Sequence, residues 1–223
     1  MKKLLSLFTV LLISVSVFGQ SREYIRNQIS QRGECRNVAI TKYNGDLMLY
    51  GQNGWAATGC PSSLTDALHD LNNKREYITD VQLTDNGSWL IIYGDNGCRW
   101  NNIPYSLEKK LREWNESGEV ITSVSFNDAG DWIAVSKRYI SSSDTDIQEW
   151  VVDGMHNYGA VWATCITDDA AVVVYEGGYR FLGNVPSDLK RKLEVVQFDV
   201  YRVKISGTAW FISDGTRRYS YNM

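Results

Sequence analysis

The chain has 223 residues, of which 43% are hydrophobic, 12% aromatic and 22% charged. The hydrophobic fraction and the net charge of −3 exclude an intrinsically disordered chain, and 18 Gly with 3 Pro exclude a collagen-like or proline-rich one. The length suits one domain of about 200 residues. Eight Trp and 13 Tyr against two His are the unusual feature of the composition.

The first residues resemble an export signal. Lys2 and Lys3 precede an apolar stretch over residues 4–18, and small or short residues up to Gly19 fit a cleavage site before Gln20. A membrane anchor is the alternative, but the stretch is shorter than the roughly 20 residues that a spanning helix needs. We expect cleavage near Gly19/Gln20 and a secreted or periplasmic protein.

The signal peptide would occupy residues 1–19, and residues 20–223 would form a single repeat domain. Without Lys2 and Lys3 the chain has 21 basic against 26 acidic residues, a net charge of −5. A mildly acidic chain lacks the basic face that nucleic-acid binding usually needs. No later segment is apolar enough to span a membrane. The four cysteines are compatible either with buried free thiols or with one disulfide.

Helices recur along the chain at intervals of about 41 residues. Segments of the form Pro-x-x-Leu begin at Pro61, Pro104 and Pro186, which are 43 and 82 residues apart. Apolar residues at helical spacing follow each of them, so each predicts a helix with Ser or Asp as N-cap and Pro in the first turn. Two further helices are predicted over 21–32 and 145–155, the latter capped by Asp144 or Thr145.

Three strands are predicted between successive helices, separated by two tight turns. The turn signals include Asn44-Gly45, Asn86-Gly87, Asn53-Gly54 and Asn96-Gly97, which tolerate positive φ. The first strand of each unit alternates, with apolar pairs at Val38/Ile40, Val81/Leu83, Val124/Phe126 and Tyr201/Val203. The second strand is almost continuously apolar, which indicates a central strand, and the third is more polar, which indicates an edge strand.

Five such units of about 40 residues predict a mostly β protein with helices, built from repeats that each bury their faces against a neighbour. The segments Gly87-Ser88-Trp89 and Gly130-Asp131-Trp132, with the Pro-x-x-Leu helix starts, resemble the Gly-x-Trp-rich β-propeller-type repeats of uncharacterised exported bacterial proteins. The resemblance covers residues 35–222 and implies a five-bladed propeller-like ring. We expect helix 21–32 to complete the last unit and close the ring; an open stack of five units is the rival architecture.

A basic residue recurs two positions after the second turn glycine in three units, with aromatic residues beside it. This pattern has two interpretations. It could form a ligand-binding surface for sugars or acidic polymers, or it could place charges on edge strands while the aromatic rings pack under the helices. The candidate binding residues are Arg99, Trp100, Arg180, Phe181, Arg217 and Tyr219.

Signals for catalysis are weak. No Gly-x-Ser-x-Gly or His-Glu-x-x-His motif is present, and His69 and His156 fall on predicted helices. Asp80 and Asp199, expected in first strands that face the ring axis, are the carboxylates that a glycan hydrolase could use. We expect no metal and no cofactor, and no catalytic residue is assigned.

The sequence therefore favours an exported, non-enzymatic binding or scaffold module, with a lectin-like function as its specific form. The alternatives are a carboxylate-dependent hydrolase acting on glycans and a protein–protein interaction platform. The expected partner is a glycan or an envelope protein, with no nucleic acid and no membrane span after signal cleavage. The module is expected to be a monomer.

Overall fold

A computed structural model describes residues 21–43 and 45–223. The signal peptide expected over 1–19 and its cleavage site lie outside the described residues, as does Asn44 of the first turn. None of the helices in the described ranges has the length and apolar character needed to cross a membrane.

The described residues form five units, each with a sheet of three antiparallel strands in sequential order, and five helices. The fold class expected from the repeats is therefore confirmed. The helices are α1 (21–32), α2 (Ser62–Asn73), α3 (Tyr105–Glu116), α4 (Thr145–Tyr158) and α5 (Ser187–Val195). The first two sheets are β1 (Asn37–Ala39), β2 (Asp46–Tyr50), β3 (Gly54–Thr58) and β4 (Ile78–Leu83), β5 (Trp89–Tyr93), β6 (Gly97–Asn101). The other three are β7 (Ile121–Phe126), β8 (Trp132–Ser136), β9 (Ile140–Ser142); β10 (Val161–Ile166), β11 (Ala170–Tyr175), β12 (Gly178–Gly183); and β13 (Arg202–Ser206), β14 (Ala209–Ser213), β15 (Tyr219–Asn222).

The helix starts differ in one respect from the expectation. Pro61, Pro104 and Pro186 occupy the N-cap position itself, and no side chain caps those helices. The expectation of a Ser or Asp N-cap is therefore wrong for these three helices, whose proline holds an extended backbone at the entry. Asp144 does cap α4, because its Oδ1 accepts a hydrogen bond from the Ile147 N–H at 2.9 Å.

The second strand lies at the centre of every sheet, as its apolar run predicted, and most of its residues are buried on both faces. The second turn differs from the expectation in where its positive φ lies. Gly51 and Gly94 have φ of +53° and +57°, whereas Gly54 and Gly97 do not have positive φ. A Cβ atom at Gly54 would overlap the ring of Tyr50, so close packing explains that glycine.

Five buried clusters join the units, each built from one helix and the facing sides of two successive sheets. Leu68 of α2, for example, packs in one cluster with Leu47 of β2 and Ile91 of β5. The next residue, Ile92, belongs to the following cluster, because successive side chains of a strand point to opposite faces. Each sheet thus contributes to two clusters and cannot bury its faces alone.

One of these clusters joins the two ends of the described chain. Ile25 and Ile29 of α1 pack in it with Met48 of the first sheet and Phe211 of the fifth. Arg26 of the same helix donates a hydrogen bond to the Met223 carbonyl at 3.0 Å. The first helix thus lies between the last sheet and the first.

The first strands of the five units surround a common axis. In the order β1, β4, β7, β10 and β13, each contacts the next, and β13 contacts β1. The Ser213 hydroxyl of the fifth unit also donates to the Arg36 carbonyl, directly before β1. The units therefore form a propeller-like ring in which, among the described residues, no hydrogen-bonded ladder joins neighbouring sheets.

The first strand of the fifth unit is shifted relative to the expectation. β13 covers Arg202–Ser206, and its core-facing pair is Val203 and Ile205 instead of Tyr201 and Val203. Val203 stays on the core-facing side, and the pair is displaced by two positions along that face because Tyr201 precedes the strand. Asp199 precedes this strand and is exposed, so its expected placement in a first strand is wrong.

Candidate functional site at the axial mouth

A cavity opens at one end of the ring axis, where the five first strands end. Its volume is about 70 Å³, and residues from all five units line it. We call it the axial mouth and define its levels by positions that are equivalent in strand register. The deepest lining residues are Ala39, Gln82, Cys165 and Lys204, and the level above them is apolar and consists of Ile40, Leu83, Phe126, Ile166 and Ile205. The next is polar and consists of Thr41, Thr84, Asn127, Thr167 and Ser206.

The outermost level, the rim, is mainly acidic. It consists of Lys42, Asp85, Asp128, Asp168 and Gly207. The Oδ1 atom of Asp85 accepts the backbone N–H of Lys42 at 2.5 Å, and Oδ1 of Asp128 accepts that of Asn86 at 3.4 Å. Each of these carboxylates therefore holds the hairpin turn of the preceding unit. The exposed Asp168 side chain forms no hydrogen bond or ion pair with any described residue.

A buried charged network lies between the first strands below the mouth. Lys204 Nζ lies 2.7 Å from Asp80 Oδ1, and the two side chains are 6% and 4% exposed. The Asn37 amide donates to the same oxygen at 2.5 Å, and the Gln82 amide donates to Oδ2 at 3.1 Å. Burial lowers the pKa of Lys204, against the opposing effect of Asp80. Asp80 thus faces the axis as expected, but its oxygens are already used in joining three units.

The other side of the axis is held by hydroxyl groups. Ser123 and Ser125 of β7 lie 2.9 Å and 3.1 Å, oxygen to oxygen, from the Thr164 hydroxyl of β10. All three residues are buried. The axis below the mouth is therefore filled with hydrogen-bonded polar side chains.

The two arginines expected on third strands bind their neighbouring helices. Arg99 of β6 forms an ion pair of 2.5 Å with Asp70 of α2, and hydrogen bonds from Lys74 and Arg99 lower the pKa of Asp70. Arg180 of β12 forms an ion pair of 2.6 Å with Asp153 of α4. These contacts attach an edge strand to a helix.

The remaining candidate residues are also engaged within their own sheets or with adjacent helices. The Arg112 guanidinium lies 5.0 Å from the Trp100 ring centroid, and Lys190 lies 5.4 Å from that of Phe181. Tyr219 stacks between Phe211 and Tyr221. The exposed Arg217 lies in the turn before β15. The six residues belong to three different sheets, and the contacts favour the structural interpretation of their spacing.

The histidines and cysteines form no metal-binding cluster within the described ranges. His69 packs edge-on against Trp55, with ring centroids 4.8 Å apart. All four cysteines are free thiols, and burial raises the pKa of Cys165, next to the mouth, to about 11. That thiol is protonated at neutral pH.

The axial mouth was not predicted, although the repeat contains a signal for it. Asp85, Asp128 and Asp168 occupy the same place in three units, directly after the first strand. Each of these aspartates, taken alone, is explained by its position in a turn, where aspartate is common. Comparison of the chain with protein families, curated proteins and solved structures finds no match.

Proposed function

We propose that this chain is an exported, non-catalytic binding module whose axial mouth receives the terminal group of a glycan. The observation that supports the proposal is the mouth itself, to which every unit contributes side chains at equivalent positions. Its carboxylates at Asp128 and Asp168 can accept hydrogen bonds from sugar hydroxyls, and Lys42 can donate one.

The size of the mouth restricts what can enter it. A volume of about 70 Å³ is well below the roughly 300–1,000 Å³ of pockets that enclose a whole small molecule. Only a projecting group such as a hydroxymethyl fits, so the rest of the ligand lies across the rim. Tyr43, which is 64% exposed, directly follows the rim residue Lys42 and is an aromatic side chain of the kind on which sugar rings stack.

A glycan array followed by calorimetric titration tests this proposal. Asp168→Asn removes a rim carboxylate that holds no other described residue, so it should weaken binding about tenfold without changing the fold. Asp199→Asn, an exposed carboxylate outside the mouth, is the matched control and should bind as the parent chain does. Arg217→Ala tests the alternative surface at the third strands.

Four outcomes are informative. Loss of binding in Asp168→Asn alone supports the mouth, whereas loss in Arg217→Ala alone would move the site to the third strands. Release of shortened glycan during the titration would instead support the hydrolase hypothesis. Absence of binding to any glycan would contradict the lectin-like function.

A further inference from the structure

Three units contain a tryptophan that fastens the start of the second strand to a helix. Each indole is 3–4% exposed, and its Nε1–H donates to a side-chain oxygen on the second residue of the preceding helix. The pairs are Trp89–Ser63 at 3.0 Å, Trp132–Ser106 at 2.9 Å and Trp210–Asp188 at 2.8 Å. An indole between sheet and helix is thus a recurring part of the unit.

The other two units replace the tryptophan differently. Strand register places Asp46 at this position in the first unit and Ala171 in the fourth. Asp46 forms an ion pair of 2.8 Å with Arg22 of α1, which substitutes a polar contact for the indole. Ala171 provides no comparable side chain, so the fourth unit alone lacks a group that bridges from this position to its helix.

A cavity of about 240 Å³ lies beside Ala171. Ile147 and Trp150 of α4 form one wall, and Leu182 of β12 forms part of another. For comparison, a buried apolar cavity of roughly 150 Å³ binds benzene. The cavity beside Ala171 is therefore large enough for a two-ring aromatic group.

Leu182 gives independent support for a ligand at this cavity. It is 53% exposed, although a leucine side chain gains free energy when it is buried. The paired position on the third strand is polar in the other four units, where it is Thr58, Asn101, Ser143 and Asn222. The fourth unit therefore combines a missing indole with an exposed apolar side chain at the edge of the gap.

The charged groups that line the cavity are acidic. Asp131, Asp168 and Asp169 line it, and no basic side chain does among the described residues. Asp146, the second residue of α4, is equivalent to Asp188, which accepts the indole N–H of Trp210. Asp146 is exposed, and its side chain forms no hydrogen bond with a described residue. An incoming ring with an N–H donor and a positive charge matches this environment.

We propose that the cavity beside Ala171 binds a small cationic aromatic molecule of indole size, which takes the place of the missing tryptophan. The aromatic ring lies between Trp150 and Leu182, and the carboxylates at the edge favour its positive charge. The cavity adjoins the axial mouth and shares Ile166, Thr167 and Asp168 with its lining. The two proposals are tested apart by Ala171 and Leu182, which line this cavity and not the mouth.

Tryptamine is the probe for the test, and its binding is followed by ligand-detected NMR and calorimetry. Tryptamine should bind more tightly than indole, and indole-3-acetate should bind least, because three carboxylates oppose its charge. Methylation of the indole nitrogen should weaken binding by removing the N–H donor. Equal affinity for tryptamine and indole-3-acetate would overturn the charge argument.

Ala171→Trp fills the cavity with the residue found in three other units. It should abolish tryptamine binding and raise the midpoint of thermal unfolding by about 2–4 °C, as expected for about 1 kcal/mol in a chain of this size. A variant that unfolds at a lower temperature but still binds tryptamine would overturn the proposed location.

Leu182→Asn tests the same site without filling the core, because the side chain is half exposed. It should weaken tryptamine binding about tenfold and leave thermal unfolding unchanged. Asn101→Ala, at the equivalent position of the second unit, is the matched control and should have no effect on binding. Failure of the parent chain to bind tryptamine, or unchanged binding in Leu182→Asn, would refute the proposal.

Discussion

Closure of the ring by α1 can be tested at Ile25. This side chain is fully buried in the cluster that also contains Phe211, which lies 186 positions later in the chain. Replacing Ile25 by Ala removes three carbon atoms and leaves a cavity, for which the expected cost is about 2–5 kcal/mol. Leu68 of α2 is equally buried in an internal cluster, so Leu68→Ala is the matched control.

Urea unfolding followed by circular dichroism measures both variants. In a closed ring α1 is packed on both sides like α2, and the two substitutions should reduce the free energy of unfolding by similar amounts. In an open stack α1 would be a terminal element with few neighbours, and terminal elements have low local stability. A cost below about 1 kcal/mol for Ile25→Ala, beside a normal cost for Leu68→Ala, would refute closure.

A double-mutant cycle gives a stricter test of the same contact. Ile25→Ala and Phe211→Ala should couple by about 0.5–3 kcal/mol if the first helix packs on the last sheet. The matched pair Ile25 and Leu68, which belong to different clusters, should be additive within about 0.5 kcal/mol. Coupling as small in the first pair as in the second would show that the two ends of the chain do not meet.

Three further predictions concern the buried pair of Asp80 and Lys204, the cysteine thiols, and the ion pair of Arg180 on a third strand. Asp80→Asn leaves Lys204 buried without a counter-charge and should lower the free energy of unfolding in urea by about 3–5 kcal/mol. Adding Lys204→Met should recover part of this loss, and a loss under about 1 kcal/mol would contradict the buried charged network. The free energy of unfolding should fall at alkaline pH because of the four cysteine thiols. Burial raises the pKa of each thiol in the folded protein, so the thiols lose their protons near pH 9 in the unfolded chain but keep them in the folded one. The free energy of unfolding should therefore fall by about 1.4 kcal/mol per thiol and pH unit from pH 9 to about 11, measured under reducing conditions; Lys204, whose pKa is lowered, opposes this with a single proton. The thiols are Cys35, Cys60, Cys98 and Cys165. Arg180→Ala breaks an ion pair with the exposed side chain of Asp153, so it should cost about 1 kcal/mol or less and leave glycan affinity unchanged. A tenfold loss of affinity would instead indicate a glycan site at the third strands.

The local elements were accessible from the sequence because their patterns are local. Leu64, Leu68 and Leu71 repeat at helical spacing, and all three are fully buried on α2. The apolar run over 89–93 becomes a central strand whose two faces serve different clusters. In both cases the pattern that predicts burial spans only a few positions, so the sequence of one unit is enough to predict which residues are buried.

The axial mouth depends on residues that lie about 40 positions apart, and its chemistry appears only when the units are brought together. Asp85 on its own is a turn residue, and its contact with Lys42 of the preceding unit needs the geometry of the ring. The first strand of the fifth unit was misplaced for a similar reason. Tyr201 and Val203 alternate as strand residues would, but Tyr201 lies before β13 and packs against Trp162 of the preceding unit, a contact that the alternation does not reveal.

The fourth unit shows how a ring of repeats can retain a costly local variation. Replacing a buried tryptophan by alanine typically costs about 3–5 kcal/mol, and Ala171 stands where Trp89, Trp132 and Trp210 stand elsewhere. Because each cluster involves only two sheets and one helix, the loss is confined to α4 and the third and fourth sheets. The fourth unit lacks this stabilisation and also exposes Leu182 beside the gap. Both features are typical of a binding site whose presence lowers the stability of the fold. Ala171→Trp should therefore be more stable than the parent chain and should no longer bind tryptamine, and measuring both properties in this one variant tests the relation between them.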